Sequence, residues 1–367
     1  MPLRRRKASA APEVHQFVPS LGYRDATGNT TLEMQRALQA GGYGGDVWAI
    51  SMHREVEGRA NLYPEYAKVA RRPGNRALLY QCGTGAEEMV NFLLDRPEKK
   101  FIYYHNMTPA HFFAPYDPAA AAQMNAGRSE LVRVCKNIEL ALTNSDYSAK
   151  ELRGLGVNDV RVVPPYLLPR KPASRSYLAR LRRGKTGIDV LFCGRVAPNK
   201  GHIHLLRSFA ALRAGCDVQS RLFIVGGFGP HMYMSTIQAM RRRVGDEGVV
   251  LTGSVTDAQL QAHYEAADVF LCLSEHEGFG APLVEAMRSG LPVIAYDEGA
   301  VAETLGGAGI LVKTLDPYVI AETIYRVASD EALRSSLIDR QYERATELEN
   351  FPRDERIVAA AQTVLGE

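Results

Sequence analysis

The chain has 367 residues, too many for one ordinary core and suited to two domains of about 150–200 residues. Its 44 Lys and Arg against 41 Asp and Glu leave a net charge of +3, which argues against nucleic acid as the main partner. Apolar residues make up 46%, as in soluble globular chains, and no run of about 18 of them is unbroken, which excludes a helical membrane span.

The opening, MPLRRRKASAAPE, is basic and lacks the apolar run of a signal peptide. Residues 1–12 read as a disordered basic tail. A strand is expected at 14–18, then a helix from Thr31 to Ala40, with threonines to cap its start and Gly41-Gly42 to end it. Apolar β-rich runs return at 47–50, 77–81, 101–105 and 138–144, with helical patterns between them. This alternation predicts a parallel, doubly wound α/β domain over 13–167. Residues 168–187 carry seven basic side chains, no acidic one and two prolines, and read as a domain linker. The alternation restarts at 189–194, 221–226, 249–253, 268–274, 291–296 and 309–312, defining a second domain over 188–351. Helices are expected between these runs, as at 201–214 and 315–329. The last stretch, 331–367, is helical with a break at Phe351-Pro352, and its helix 352–367 is expected to pack back on the first domain. Ligands of such sheets bind at the C-terminal strand ends, so two facing domains would bind between them. Cys82, Cys135, Cys193, Cys216 and Cys272 are scattered without metal-ligand spacing and read as reduced thiols of a cytosolic protein.

The most informative segment is Ser274-Glu275-His276-Glu277-Gly278-Phe279-Gly280-Ala281-Pro282-Leu283-Val284-Glu285-Ala286-Met287, directly after an apolar strand. Gly278 and Gly280 permit a tight turn. Pro282 suits the first turn of the next helix, whose free N–H groups suit a phosphate. Glu277 in the loop and Glu285 in the helix could flank that anion and bind hydroxyls of a sugar or ribose. The bland alternative is a helix cap beside a solvated glutamate.

This segment resembles the signature of retaining glycosyltransferases of family 4, in which two glutamates are separated by seven residues. Phe192-Cys193-Gly194-Arg195-Val196-Ala197-Pro198-Asn199-Lys200-Gly201 is similar to the family's strand–loop with an Arg and a Lys. Ile224-Val225-Gly226-Gly227-Phe228-Gly229-Pro230 and Leu251-Thr252-Gly253-Ser254-Val255 are similar to later strand ends, and Gly290-Leu291-Pro292-Val293-Ile294-Ala295 and Gly307-Ala308-Gly309 complete the series. The likeness is strong over 188–345 and weaker before it. It implies the GT-B fold: two Rossmann-like, doubly wound parallel-sheet domains facing a cleft. It also implies transfer of a sugar, a hexose being expected, from a nucleotide-diphosphate sugar to an acceptor hydroxyl. Arg195 and Lys200 would hold the diphosphate, Glu277 the donor sugar and Glu285 the ribose. Further donor contacts fall to Gly194, Gly227, Val255, Gly278, Phe279, Gly280, Ala281 and Leu283. In the first half, His105 in Tyr103-Tyr104-His105-Asn106 matches a histidine at the donor sugar, with His111 close by in sequence. Asp25-Ala26-Thr27-Gly28-Asn29 is similar to the glycine loop by the diphosphate, with Gly28 standing alone where two glycines are frequent.

Other segments carry weaker signals. Gly83-Thr84-Gly85 lacks the third glycine of a dinucleotide fingerprint, since Glu88 stands there, and reads as a loop or plain turn. Asn144-Ser145-Asp146-Tyr147-Ser148-Ala149-Lys150 fits a ligand-facing segment and simple capping about equally. No Asp-x-Asp pair and no His/Cys ligand spacing is present, so neither metal nor cofactor is expected, two fixed cations balancing the leaving diphosphate instead. The arginine-rich stretch fits either solvation or peripheral contact with an anionic membrane face. The expected location is the cytoplasm, with the inner membrane face as its variant. Two rivals stay open: a sugar-nucleotide epimerase of the same fold, and a catalytically silent nucleotide-sugar-binding protein. Base, acceptor, oligomeric state and pathway are not legible.

Overall fold

The computed structural model describes residues 11–22, 25–169, 171–217, 219–245 and 247–367. Residues 1–10 of the expected basic tail therefore lie outside the described residues. The chain divides into two compact units. The first comprises residues up to Met107, Gln123–Tyr166 and Pro352–Glu367; the second comprises Thr108–Ala122 and Leu167–Phe351.

The first unit is built on seven parallel strands: β1 Glu13–Leu21, β2 Val47–Met52, β3 Asn61–Leu62, β4 Arg76–Cys82, β5 Lys99–Tyr104, β6 Leu140–Thr143 and β7 Asp159–Val162. Their order is β3-β2-β1-β4-β5-β6-β7, and every pairing is parallel. The second unit has six: β8 Asp189–Cys193, β9 Arg221–Val225, β10 Val249–Gly253, β11 Val269–Cys272, β12 Val293–Tyr296 and β13 Ile310–Val312, in the order β10-β9-β8-β11-β12-β13. Helices cover both faces of this sheet, so neighbours along a strand feed opposite cores. Val190 and Phe192 of β8, with Val269 and Leu271 of β11, enter one core. Leu191, Phe270 and Cys272 enter the other. Strands buried on both faces read as continuous apolar runs, which is why the inner strands are legible in the sequence. The expected fold class, two doubly wound parallel α/β units, is the one observed.

Several local expectations are corrected. The strands β3 and β7 carry no such run: both residues of β3 are exposed, and β7 is only half-buried. The first helix begins at Ala26 rather than Thr31. Its cap is Asp25, whose carboxylate accepts from the Gly28 N–H at 2.5 Å, and not a threonine. The basic stretch 168–187 is no bare linker. It contains the helix Arg175–Arg183, which buries Leu181 and packs Tyr177 and Leu178 on the core of the second unit, leaving its arginines outward. Residues 108–122 fall in the second unit, where the Tyr116 ring meets Tyr233 edge-on at 4.9 Å. The final helix, Arg353–Leu365, belongs to the first unit: Asp354 pairs with Arg36 at 3.0 Å, and Ile357, Ala361 and Val364 are buried. No helix among the described residues is long and apolar enough to cross a membrane. All five cysteines are free.

Candidate active site

In the second unit the strand order reverses between β8 and β11, so the loops after these two strands emerge side by side. Such a switch point is where open α/β sheets bind ligands. The loop after β8 runs through Gly194, Arg195 and Val196 into a short turn, Pro198–Lys200. Gly201 then takes a left-handed φ of 67° to start the helix His202–Gly215. A Cβ there would sit 1.9 Å from the Leu273 carbonyl of the neighbouring loop, so only glycine allows the approach. The loop after β9 is sewn to the loop after β8: Gly194 N–H donates to Val225 O at 2.9 Å, and Val196 N–H to Gly227 O at 2.9 Å.

These constraints bring together residues far apart in sequence. Lys200 Nζ meets Glu277 Oε1 at 2.7 Å, both side chains largely buried. Asn199 binds the adjoining loop twice: its carbonyl accepts from Glu275 N–H at 2.9 Å, and its Nδ2 donates to His276 O at 3.2 Å. Arg195 is exposed and forms no ion pair among the described residues, leaving one cation uncommitted on the loop that carries Lys200. Gly280, in a left-handed φ of 86°, caps the helix Ala281–Arg288. Among the described residues the N–H groups of Gly278, Phe279 and Gly280 donate to no backbone carbonyl. An anion placed here would meet open N–H groups, a helix N-terminus and a free guanidinium.

The supports of this loop were not legible in the motif. Ala300 N–H donates to Glu277 O at 2.9 Å, and Gly299, with φ of 65°, lies so close that a Cβ would come within 2.4 Å of the same oxygen. Thr304 Oγ1 donates to Phe279 O at 2.5 Å. Glu285 Oε2 accepts from the Tyr264 hydroxyl at 2.7 Å. Burial pushes the Glu285 carboxyl up, and the Tyr264 hydroxyl and Arg288 pull it back down. Cys193 lies against the same pair, its thiol pushed up to about 12 by burial. A glycine following the end of β12 was the one readable signal; nothing local marks Tyr264 or Thr304. Leu283, expected to contact the donor, is buried, and its N–H donates to Gly280 O at 2.9 Å. The Phe279 ring is likewise buried, while Val255 is half-buried against the core and Ala281 opens the helix.

In the first unit, His105 directly follows β5. Its N–H donates to Cys82 O at 2.8 Å, and its Nε2 lies 2.7 Å from Gln81 Oε1. Burial pushes its imidazole down to about 3, so the ring is neutral. Asn106 adopts φ of 71°, the one positive-φ non-glycine among the described residues, and its Nδ2 donates to Ser148 Oγ at 3.0 Å. Asn144 donates to the His105 carbonyl at 3.0 Å. Strained backbone of this sort gathers at functional sites. His111 falls in the second unit. Gly28 sits in the first turn of its helix, where a Cβ would come within 2.4 Å of Gly22 O; Gly22 is itself pressed on Asp25. Gly85 packs against Gly127, where a Cβ would come within 2.6 Å of Gln123 O, so Gly83-Thr84-Gly85 is a packing turn.

Comparison with known proteins agrees with this geometry. Residues 187–330 match the family model described as glycosyl transferases group 1. The chain is 32% identical to a mannosylfructose-phosphate synthase of Agrobacterium fabrum over 47% of this chain and 38% of that protein. It is 31% identical to a D-inositol 3-phosphate glycosyltransferase of a Nocardioides species over 58% of this chain and 51% of that protein. It thus spans about half the length, or less, of these curated relatives. Among solved structures, a sucrose-phosphate synthase from Thermosynechococcus elongatus superposes with a TM-score of 0.73 at 19% identity, over 96% of this chain and 98% of that one. An Anabaena protein solved with UDP and glucose gives 0.72 at 17% identity, over 96% and 99%. The fold is therefore shared across nearly the whole length, and residues 187–330, which hold both strand-end loops, match the glycosyl transferases group 1 family model.

Proposed function

We propose that the protein is a retaining glycosyltransferase that moves a hexose from a nucleotide-diphosphate sugar to an acceptor hydroxyl without a metal. The observation that carries this reading is the Lys200–Glu277 contact of 2.7 Å at the switch point, beside the free Arg195 and the open N–H groups of Gly278–Gly280. Arg195 and Lys200 receive the diphosphate, and the helix Ala281–Arg288 points its N-terminus at it. Glu277, held by Lys200, takes hydroxyls of the sugar; Glu285, oriented by Tyr264, takes the ribose. His105 serves the sugar, and Gly28 lets the diphosphate approach the first helix.

In the reaction the bond from the anomeric carbon to the diphosphate oxygen breaks. The acceptor oxygen bonds to that carbon on the same face, and its proton passes to the departing phosphate. Stabilising the growing phosphate charge is the largest task, and Arg195, Lys200 and the N–H groups supply it. An Anabaena structural neighbour was solved with UDP and glucose, which supports a nucleotide-sugar donor. The cytoplasm is the matching location, since nucleotide sugars and reduced thiols occur there, and the outward arginines of Arg175–Arg183 fit an anionic membrane face. A thermal-shift screen of nucleotide sugars, followed by assay of nucleoside diphosphate release with and without candidate acceptors, tests the reading. One donor should stabilise the chain by mass action and turn over with an acceptor present. Turnover of the sugar nucleotide without any acceptor points to epimerisation, and binding without turnover to a silent binding protein.

A further inference from the structure

Behind His105 lies a chain of buried amides that crosses three adjacent strands, β5, β4 and β1. Gln81 Oε1 faces His105 Nε2 at 2.7 Å, and Gln81 Nε2 donates to Gln16 Oε1 at 2.8 Å. Gln16 Nε2 donates both to the Thr31 carbonyl at 3.0 Å and to Gln35 Oε1 at 2.9 Å. Gln35 Nε2 donates in turn to the Gly45 carbonyl at 2.7 Å. Gln16 and Gln81 have no solvent exposure.

An amide can be flipped without changing its shape, so direction along such a chain must be set at its ends. Two backbone carbonyls, Thr31 and Gly45, set it here, because a carbonyl can only accept. Reversing Gln16 would press its Oε1 on the Thr31 oxygen at 3.0 Å, two acceptors in a dry site. With Gln16 fixed, its Oε1 demands a donor from Gln81, which leaves Gln81 Oε1 toward the histidine. An amide oxygen cannot donate, so His105 Nε2 must carry the proton. His105 Nδ1 has no hydrogen-bond partner among the described residues, and the residue keeps part of its surface.

We infer that Gln16 and Gln81 are positioning residues that lock His105 in its Nε2–H tautomer, leaving Nδ1 as a fixed acceptor for a ligand hydroxyl. The link to the reacting sugar rests on the function proposed above; the tautomer does not. The ring's neutrality agrees with this assignment, since burial keeps the imidazole uncharged at physiological pH. A sugar hydroxyl would therefore donate to Nδ1, and a ligand group that can only accept would be rejected there.

The test is a two-bond 1H–15N correlation spectrum of the full chain labelled with 15N-histidine. The His105 signals are identified by their loss in His105→Asn. The expected pattern is one protonated Nε2 and one unprotonated Nδ1, without averaging. Gln16→Leu, which does not touch the histidine, frees Gln81 to rotate and should convert this pattern to a mixture of tautomers. A wild-type ring protonated at Nδ1, or averaging between the two, overturns the inference whether or not any variant folds. A folded Gln16→Leu chain with an unchanged pattern overturns it too. Absence of turnover with every nucleotide sugar would remove the proposed function while leaving the tautomer as assigned.

Discussion

Gly299 offers a test of the site that leaves every polar group in place. Its φ of 65° is left-handed, and a methyl group at its Cβ would lie 2.4 Å from Glu277 O and 2.9 Å from Glu277 N. Ordinary contact begins at 3.4 Å, so Gly299→Ala forces a movement of 3.4 − 2.4 = 1.0 Å between the two loops. The backbone strain alone costs about 1–2 kcal/mol, which lowers the melting temperature by roughly 2–8 °C. The displaced atoms carry Glu277, and an error of about 1 Å in a positioning group lowers turnover on the order of a hundredfold. Gly307→Ala is the control. Its φ is 81° and nothing lies within 4 Å of its Cβ, so it carries the same strain without a clash. Both variants should lose stability in thermal unfolding, Gly299→Ala at least as much as Gly307→Ala, while only Gly299→Ala should lose nucleoside diphosphate release. Wild-type turnover in a folded Gly299→Ala chain, or an equal loss in both variants, would falsify the claim that this contact holds Glu277 in place.

Other expectations follow from the same geometry. Arg195→Ala should weaken donor binding by about 1.5–3 kcal/mol, roughly ten- to hundredfold by titration calorimetry, with the melting temperature unchanged because Arg195 holds no other residue. An unaltered donor affinity removes it from the diphosphate site. Glu277→Gln should lower kcat and Glu285→Gln should mainly raise donor KM; equal small effects on steady-state kinetics would return both carboxylates to a capping role. Turnover should survive excess EDTA, and an activity lost to chelation and restored by a divalent ion refutes charge balance by Arg195 and Lys200. Acid stability has a definite sign. Burial lowers His105 and His202 to about 3 and His263 to about 4, from an ordinary 6.5. Below about pH 6.5 the unfolded chain takes up these protons first, so folding stability is full above that pH. It falls on the order of 1 kcal/mol per pH unit for each histidine until the folded values are reached. Denaturant unfolding between pH 7.5 and 4.5 should show this slope, and His202→Leu should flatten it; a level profile contradicts the assignment.

The sequence by itself determined the two-sheet organisation, the inner strands and the turn from Gly278 to Pro282. Each of these is written locally: burial on both faces as an apolar run, a left-handed turn as glycine, a first helical turn as proline. The edge strands β3 and β7 escaped because an edge lacks that burial, and the helix Arg175–Arg183 escaped because its arginines outweigh a narrow apolar stripe. Only the tertiary structure decided which residues meet. Lys200 and Glu277 stand 77 positions apart and touch because the strand order reverses between β8 and β11. Tyr264 reaches Glu285, Gly299 presses on Glu277, and Gln81, held by Gln16, presents its amide oxygen to His105, all through contacts between different elements. Local pattern reports how deeply a residue is buried and which backbone angles it favours. The partner of a polar side chain is chosen by strand order and loop approach, which belong to the chain as a whole.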